Sequence, residues 1–354
     1  MKKVLRVILL IVNVLFVVAL IFSTLAGAMP PSRYPWVSML SYTFFPLLLV
    51  NVLFILIWLC LSRWEFLLST VAIVLRFSFV PLFFQIGGTQ QAEVGEDTLK
   101  VMTFNVHGFK GMDSDTLMTA DSGGMLFLSL VDEEQPDVLC MQEFFPPSKV
   151  RVVDSLLARG YKHYCSVHGD TYRSQAVIFS RCELEGHVMD NRTKFYADLS
   201  KNGQKVRLCC VHLDSYGLSD DDIKSFEKLA HAKPDSTTHN TLRKFVSTVR
   251  EHETEWLTEL LPLIESTETP IIVAGDFNDT PASYIYRQAT ERLVDAYVKQ
   301  GRGFGTTYHG PYPSFRIDYI LHSPTMQTLS YNRIKTPISD HYPIVATLRM
   351  ASAE

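Results

Sequence analysis

Charge is scarce in the first 96 of the chain's 354 residues, and that scarcity divides the sequence. Only Lys2, Lys3, Arg6, Arg33, Arg63 and Arg76 are basic there, and only Glu65, Glu93 and Glu96 are acidic. Of 33 basic and 37 acidic residues in all, 27 and 34 therefore fall after residue 96, leaving that part a net charge of -7. No basic excess supplies the positive field that captures nucleic acid by electrostatics alone. The distribution also excludes a disordered chain, a collagen-like repeat and a simple soluble protein. There is no Cys-x-x-Cys pair, no Gly-x-x-x-x-Gly-Lys phosphate loop, no internal repeat and no low-complexity tract. Cys140, Cys165, Cys182, Cys209 and Cys210, being five, cannot all pair within one chain. Cys140 and the Cys209–Cys210 pair lie in apolar runs and read as buried free thiols rather than metal ligands.

What fills the first part is apolar. Residues 7–22 carry Asn13 as their one polar side chain, residues 44–61 carry Asn51, and residues 66–86 are interrupted by Ser69, Thr70, Arg76 and Ser78. About 20 apolar residues cross a ~30 Å hydrocarbon layer, so all three read as transmembrane helices, the third most weakly. Small residues at 25–28 would suit signal cleavage. The long first run and the apolar segments behind it favour retention. Arg76 is expected to snorkel or to meet a polar group of a neighbouring helix, such as Asn13 or Asn51. Lys2, Lys3 and Arg6 precede the first segment and Arg63 lies between the second and third, against Arg33 alone in the other connection. The positive-inside bias then puts the amino terminus in the cytoplasm and, after three crossings, the remainder outside it; two crossings would leave it inside.

Residues 87–98 read as a polar linker. Beyond them, strand-like runs occur at 99–106, 137–144, 176–180, 206–213, 270–277 and 316–321. Between the fourth and fifth, Phe245, Val249, Trp256, Leu260 and Ile264 keep helical spacing, widened by Leu242, Val246, Leu257 and Leu261. Asp220, Asp221 and Asp222 follow Ser219 and read as the acidic amino terminus of a helix rather than a metal cluster. Mixed strands and helices over residues 99–354 predict one layered α/β domain.

Polar residues gather where the apolar strands stop: Asn105 and His107, Gln142 and Glu143, His212 and Asp214, Asp276 and Asn278, with Asp318 inside its run and Asp340–His341 before the last. Side chains leaving adjacent strands at one edge converge on a common site. Carboxylates and an amide oxygen are hard ligands suited to Mg²⁺ or Mn²⁺, and imidazoles transfer protons near neutral pH. Phosphate-ester hydrolysis needs such a set: a cation on the phosphoryl oxygens, an oriented water and help for the leaving oxygen.

TFNVHG (103–108), MQE (141–143), VHLDS (211–215), GDFNDTP (275–281), RIDYI (316–320) and SDHYP (339–343) together resemble the endonuclease/exonuclease/phosphatase superfamily with the deoxyribonuclease-I-like fold. The resemblance covers the whole of residues 99–354. It implies a four-layered α/β sandwich, here preceded by three transmembrane helices over 1–86. It also implies Glu143 as principal metal ligand with Asn105 beside it and Asp340 supporting the metal region. Asp276 and Asn278 would orient the attacking water and the phosphate. His341, oriented by Asp318, would act as base or phosphate-stabilising cation, and His212 would stabilise phosphoryl charge or protonate the leaving oxygen. Ser174–Gln175 stand where many members carry a glycine, and His107 reads as a site neighbour. The chain so read is a membrane-anchored, Mg²⁺- or Mn²⁺-dependent phosphodiester hydrolase of a bacterial inner membrane, its catalytic domain extracytoplasmic. Its partners are the lipid bilayer and a phosphodiester substrate, nucleic acid or lipid headgroup. The alternative is a non-catalytic membrane scaffold that keeps the fold.

Overall fold

The computed structural model describes residues 3–93, 95–111, 119–147, 149–166, 174–188, 194–216, 236–310 and 314–350. The chain forms two compact units. One comprises Met1–Phe83, Asp214–Thr258 and Asp279–Gln288, and the other Phe84–Leu213, Glu259–Asn278 and Ala289–Glu354. Asp220–Asp222 lie outside the described residues.

In the first unit, helices α1 (Lys3–Leu25), α2 (Pro35–Ser38), α3 (Phe44–Cys60) and α4 (Phe66–Leu75) follow one another in the N-terminal segment. The helical runs Lys3–Ala28 and Pro35–Cys60, 26 residues each, are long and apolar enough to cross a membrane. The third expected span is not such a helix. Its ten α-helical residues rise about 15 Å, and the chain continues as a 3-10 helix, Phe77–Leu82, broken by Pro81. That segment nonetheless runs the length of its neighbours. It starts beside Glu65, paired with Arg6 of α1, and ends at Phe83, whose ring stacks on Phe44 of α3 at 5.1 Å.

The polar residues of these helices satisfy one another, because an unpaired polar group among apolar side chains is costly. Asn13 Nδ2 donates to Ser69 Oγ at 2.7 Å, Trp58 Nε1 donates to Asn13 Oδ1 at 2.9 Å, and Ser69 Oγ donates to Asn51 Oδ1 at 2.8 Å. Trp58 and Ser69 thus take the amide oxygens of the two asparagines offered as partners for Arg76, which caps the end of α4 with its Nε unpartnered among the described residues. The helix expected from the 245–264 spacing begins in this unit as Ser236–Glu255, passes into a π-helical turn at Trp256–Leu260 and resumes as Leu261–Ser266, which belongs to the second unit. Phe245, Val249, Trp256 and Leu260 are buried as the spacing predicts, while Leu257 is exposed.

The second unit is an α/β sandwich. One sheet has the order β13 (Gln327–Arg333), β14 (Ile344–Arg349), β2 (Thr98–Asn105), β3 (Val138–Phe144), β5 (Ser174–Ser180), β4 (His163–Ser166). The other runs β10 (Val294–Asp295), β12 (Asp318–His322), β9 (Ile271–Asp276), β8 (Gln204–His212), β7 (Lys194–Lys201), β6 (Glu183–Val188). A small ribbon pairs β1 (Phe84–Gln85) with β11 (Gly303–Phe304). Both large sheets are mixed: β2–β3 and β8–β9 are parallel and the remaining neighbours antiparallel.

Period-two alternation builds the core. Leu99, Val101, Val138, Cys140 and Ile178 of one sheet meet Val206, Leu208, Cys210, Ile272, Ala274 and Ile320 of the other. On the outer face of the first sheet, Met102, Phe104, Leu139 and Met141 pack against Phe127 and Val131 of α5 (Ala120–Glu134) and Leu156 of α6 (Val152–Ala158). Helix α5 opens with a reciprocal cap, Thr119 Oγ1 accepting the Ser122 N–H at 3.2 Å and Ser122 Oγ accepting the Thr119 N–H at 3.0 Å. Cys140, Cys209 and Cys210 are buried free thiols, as their apolar runs imply.

Candidate active site

Register gathers the polar residues at one end of the sandwich. In the parallel pair β8–β9, His212 lies opposite Asp276, and in the antiparallel pair β9–β12, Asp276 lies opposite Asp318. The first sheet contributes Asn105 and Glu143 from the ends of β2 and β3. Asn105 joins the two sheets: its Nδ2 donates to Glu143 Oε1 and to Asp276 Oδ2, both at 3.0 Å. Gly275 makes the approach of β8 to β9 possible. Its φ is 151°, and a Cβ there would lie 1.9 Å from the Val211 carbonyl oxygen. His107, Glu143 and Asn278 adopt left-handed backbone, with φ of 44°, 49° and 49°. Such conformations cost about 1–3 kcal/mol each and are kept where surroundings enforce them. At Glu143 the turn lifts the residue out of the β3–β5 ladder, where Gln142 pairs Ala176 and Phe144 pairs Ser174.

His341 is the electrostatic centre. Its Nδ1 lies 2.9 Å from Asp318 Oδ2 and its Nε2 lies 3.7 Å from Asp276 Oδ2. Burial opposes its charge, but the Asp318 and Asp276 carboxylates prevail and hold its pKa up at about 10. Asp276 is fully enclosed. Burial and the neighbouring Asp318 charge raise its carboxyl to about 6, against the lowering effect of His341, His212 and Asn105. Glu143 is displaced the other way. Burial raises it, but the His107 hydrogen bond, the His212 charge and the Asn105 amide bring it down to about 2. A carboxyl near neutrality beside a protonated imidazole is the separation that divides base from acid in hydrolytic sites.

His212 is buried with its Nε2 3.7 Å from Glu143 Oε1 and 3.9 Å from Asp276 Oδ2. Both of its ring nitrogens are buried and neither has a hydrogen-bond partner among the described residues. Asn278 donates its N–H to Asp276 Oδ1 at 2.8 Å and its Nδ2 to the Leu213 carbonyl at 2.9 Å. Asp340 Oδ1 lies 3.2 Å from Ser339 Oγ. All eight residues expected from the sequence therefore fall within this unit and around one strand end. Gln142 does not join them: it faces inward, donating Nε2 to Thr103 Oγ1 at 3.2 Å.

Among the described residues, the three carboxylate and imidazole atoms that all lie within 4.8 Å of one another belong to Asp276, Asp318 and His341, not to the expected ligands Glu143, Asn105 and Asp340. Of that expected set, Asn105 turns its nitrogen toward the carboxylates. Glu143 Oε2 and Asp340 Oδ1 approach one point, the Nδ1 of His107, at 3.3 and 3.9 Å. Two hard oxygen donors directed at one point fit a divalent cation, as does the excess of four carboxylates over three imidazoles. Sequence reasoning left His107 as a neighbour and missed the supports. Thr307 Oγ1 accepts the N–H groups of Ile317 and Asp318 at 3.1 Å. Ser339 Oγ donates to the Asn105 carbonyl at 2.7 Å and accepts the His341 N–H at 3.0 Å. Tyr308 meets the His341 ring edge-on at 5.2 Å. Ser339 lies inside SDHYP and was within reach; Thr307 and Tyr308 lie in an irregular loop with no periodic signal.

Residues 6–83 match a model of a domain of unknown function. Several solved structures are similar to the chain. An endonuclease/exonuclease/phosphatase from Beutenbergia cavernae shares 19% identity over 73% of this chain and 72% of its own, with a TM-score of 0.47. A humanized D. rerio TDP2 shares 19% over 71% and 99%, at 0.49. The human Nocturnin catalytic domain shares 18% over 73% and 96%, at 0.47. No curated protein matches. Residues 102–341, well over half the chain, match the model of the Endonuclease/Exonuclease/phosphatase family, and they contain every residue of the cluster just described: the chain belongs to that family.

Proposed function

We propose that the protein is a membrane-anchored, divalent-metal-dependent hydrolase of phosphodiester bonds. The observation that carries the reading is the opposed pair at the centre of the cluster: a buried carboxyl held near neutrality, Asp276, beside a buried imidazolium, His341, oriented by Asp318. Ionised Asp276, with the Asn278 backbone fixed on its other oxygen, accepts the proton of the attacking water. His341 places positive charge against the phosphoryl oxygens as negative charge grows there. His212, whose two nitrogens have no hydrogen-bond partner among the described residues, donates to the phosphoryl group or the leaving oxygen. Glu143, ionised throughout the neutral range, and Asp340 are the groups that would hold the cation, with Asn105 fixing Glu143. When bound, Mg²⁺ or Mn²⁺ supplies further positive charge to the phosphoryl oxygens.

Anchoring is supported by two apolar helices whose outer residues Leu5, Ile8, Ile11, Leu15, Leu49, Leu53 and Leu56 are exposed. Residue 83 lies at the Phe44 end of these helices and Arg6 at the other. With the basic residues Lys2, Lys3 and Arg6 on the cytoplasmic side, this favours an extracytoplasmic catalytic domain. A nucleic acid and a lipid headgroup both fit the reaction class. The test is purified full-length protein with Mg²⁺ or Mn²⁺ against DNA, RNA, sphingomyelin and a model phosphodiester, beside Glu143→Ala and His341→Ala. Metal-dependent turnover, reduced by at least about 100-fold in both variants, is expected. Near-normal turnover in either variant overturns the assignment.

A further inference from the structure

Within the unit that contains the apolar helices, the fully buried His252 of the Ser236–Glu255 helix addresses two separate segments. Its Nε2 lies 2.7 Å from the Asp214 carbonyl oxygen, and its Nδ1 lies 3.6 Å from Asp279 Oδ2. The other Asp279 oxygen, Oδ1, accepts the hydroxyl of Tyr42 at 2.9 Å. Tyr42 belongs to Met39–Thr43, a 3-10 stretch within the second long apolar run, Pro35–Cys60. Its ring meets Tyr216 and Phe245 edge-on at 5.5 and 5.7 Å, and those two stack at 4.4 Å. Two neighbouring residues are held as well: Thr280 Oγ1 donates to the Ser41 carbonyl at 3.3 Å, and Ser32 Oγ, just before this run, donates to Glu253 Oε1 at 3.1 Å.

The places of Asp214 and Asp279 in the chain give these contacts meaning. Asp214 follows Leu213, whose carbonyl accepts the Asn278 side chain and whose N–H donates to the Asp276 carbonyl at 3.0 Å. Asp279 follows Asn278. His252 therefore joins the two segments in which the chain departs from β8 and β9, one peptide unit beyond residues that fix the catalytic turn. Asp279 is buried, and a carboxylate in a tight turn needs no buried phenol to hold the turn. Enclosing it is costly unless its oxygens are paired, so Tyr42 and His252 stabilise one placement of this residue against the alternatives.

We propose that Tyr42, Asp279 and His252 are positioning residues for the phosphoesterase site, the Met39–Thr43 stretch of the second apolar run setting the backbone that carries Asp276 and Asn278. The inference rests on the function proposed above and adds that the anchor segment is part of the catalytic apparatus. Displacing a catalytic group by about 1 Å costs up to about 100-fold in rate. Loss of the Tyr42 hydroxyl alone is therefore expected to lower kcat by about 10-fold.

The experiment uses the full-length chain in lipid nanodiscs, comparing the parent with Tyr42→Phe, Asp279→Asn and the double variant. Steady-state kinetics and hydrogen–deuterium exchange are measured on the same preparations. Support is a fall in kcat with KM within about twofold, no further fall in the double variant, and faster exchange confined to peptides spanning 206–216 and 272–282. Unchanged kcat and exchange in both single variants overturn the proposal while leaving the phosphoesterase reading intact. Faster exchange throughout the chain, with KM and kcat both degraded, also overturns it, because that is loss of fold. Localised exchange changes in a parent inactive on every substrate support the positioning contacts and overturn the functional reading instead.

Discussion

Replacing Asp318 by asparagine removes one charge from the centre of the site and leaves its shape. The His341 Nδ1–Asp318 Oδ2 separation is 2.9 Å, and opposite charges at that distance attract by about 6 kcal/mol at an effective dielectric of about 20. The elevation of His341 from 6.5 to about 10 is worth about 5 kcal/mol, at about 1.4 kcal/mol per pH unit. Asp318 alone is thus large enough to account for the elevation, with Asp276 and Asp340 offsetting part of the burial penalty. In Asp318→Asn the imidazole is expected to titrate near or below its ordinary value. The check is imidazole NMR on metal-free protein. The parent His341 signal stays constant from pH 6 to 8.5, and the variant signal moves within that window or below it. Activity falls by about 100-fold or more, because a neutral ring no longer faces the phosphoryl charge. Stability responds with a defined sign. A base whose folded pKa is raised contributes stability that is fully present below about 6.5 and lost as pH rises through about 10. The parent should therefore weaken to alkaline denaturant unfolding across that range, and the variant should not. A His341 midpoint still above about pH 9 in the variant, or turnover within about threefold of the parent, refutes the reasoning.

The other groups give separable outcomes. Glu143, lowered to about 2, contributes stability present above about 4.5 and lost as pH falls toward 2; Glu143→Gln should flatten that part of the acid unfolding curve measured by circular dichroism. Asp276, raised to about 6, must be ionised to act as base, so the acid limb of the pH–rate profile should have its midpoint near 6 and move lower in Asp318→Asn. Asn105→Asp sets a third carboxylate against Glu143 and Asp276 at about the same 3.0 Å spacing; metal-free protein should lose stability, and added Mn²⁺ should restore more of it than in the parent, read as a thermal shift. In the helical segment, Ser69→Ala breaks two buried hydrogen bonds to asparagines and should cost about 1–2 kcal/mol in unfolding from detergent micelles, while Arg76→Leu should leave assembly intact.

Which parts of this architecture can be read from the chain follows from the range of the forces involved. Strands such as Gln204–His212 announce themselves because Val206, Leu208 and Cys210 face one layer while Cys209 and Val211 face the other, a pattern local in sequence. The chemistry is legible for the same reason: polar side chains at the ends of apolar runs have nowhere to go but the sheet edge. Strand order is not legible. Nothing within 98–105 states that it lies between 138–144 and 344–349, because that choice is made by pairing across up to 251 residues, from Thr98 to Arg349. The third apolar segment misled by composition. Its residue types suit the membrane, but Pro81 and the Arg76 cap divide it into ten residues of α-helix and a 3-10 turn, a matter of backbone hydrogen bonding that a count of apolar residues does not register. The roles within the site divide likewise. Residue types predicted that Glu143, Asp276 and His341 would meet, but not that Asn105 would turn its nitrogen to two carboxylates or that Asp276 and His341 would be driven apart in acidity. Those are properties of burial and of neighbours contributed by other strands. They decide which carboxyl is the base, and Asp318→Asn is the substitution that isolates them.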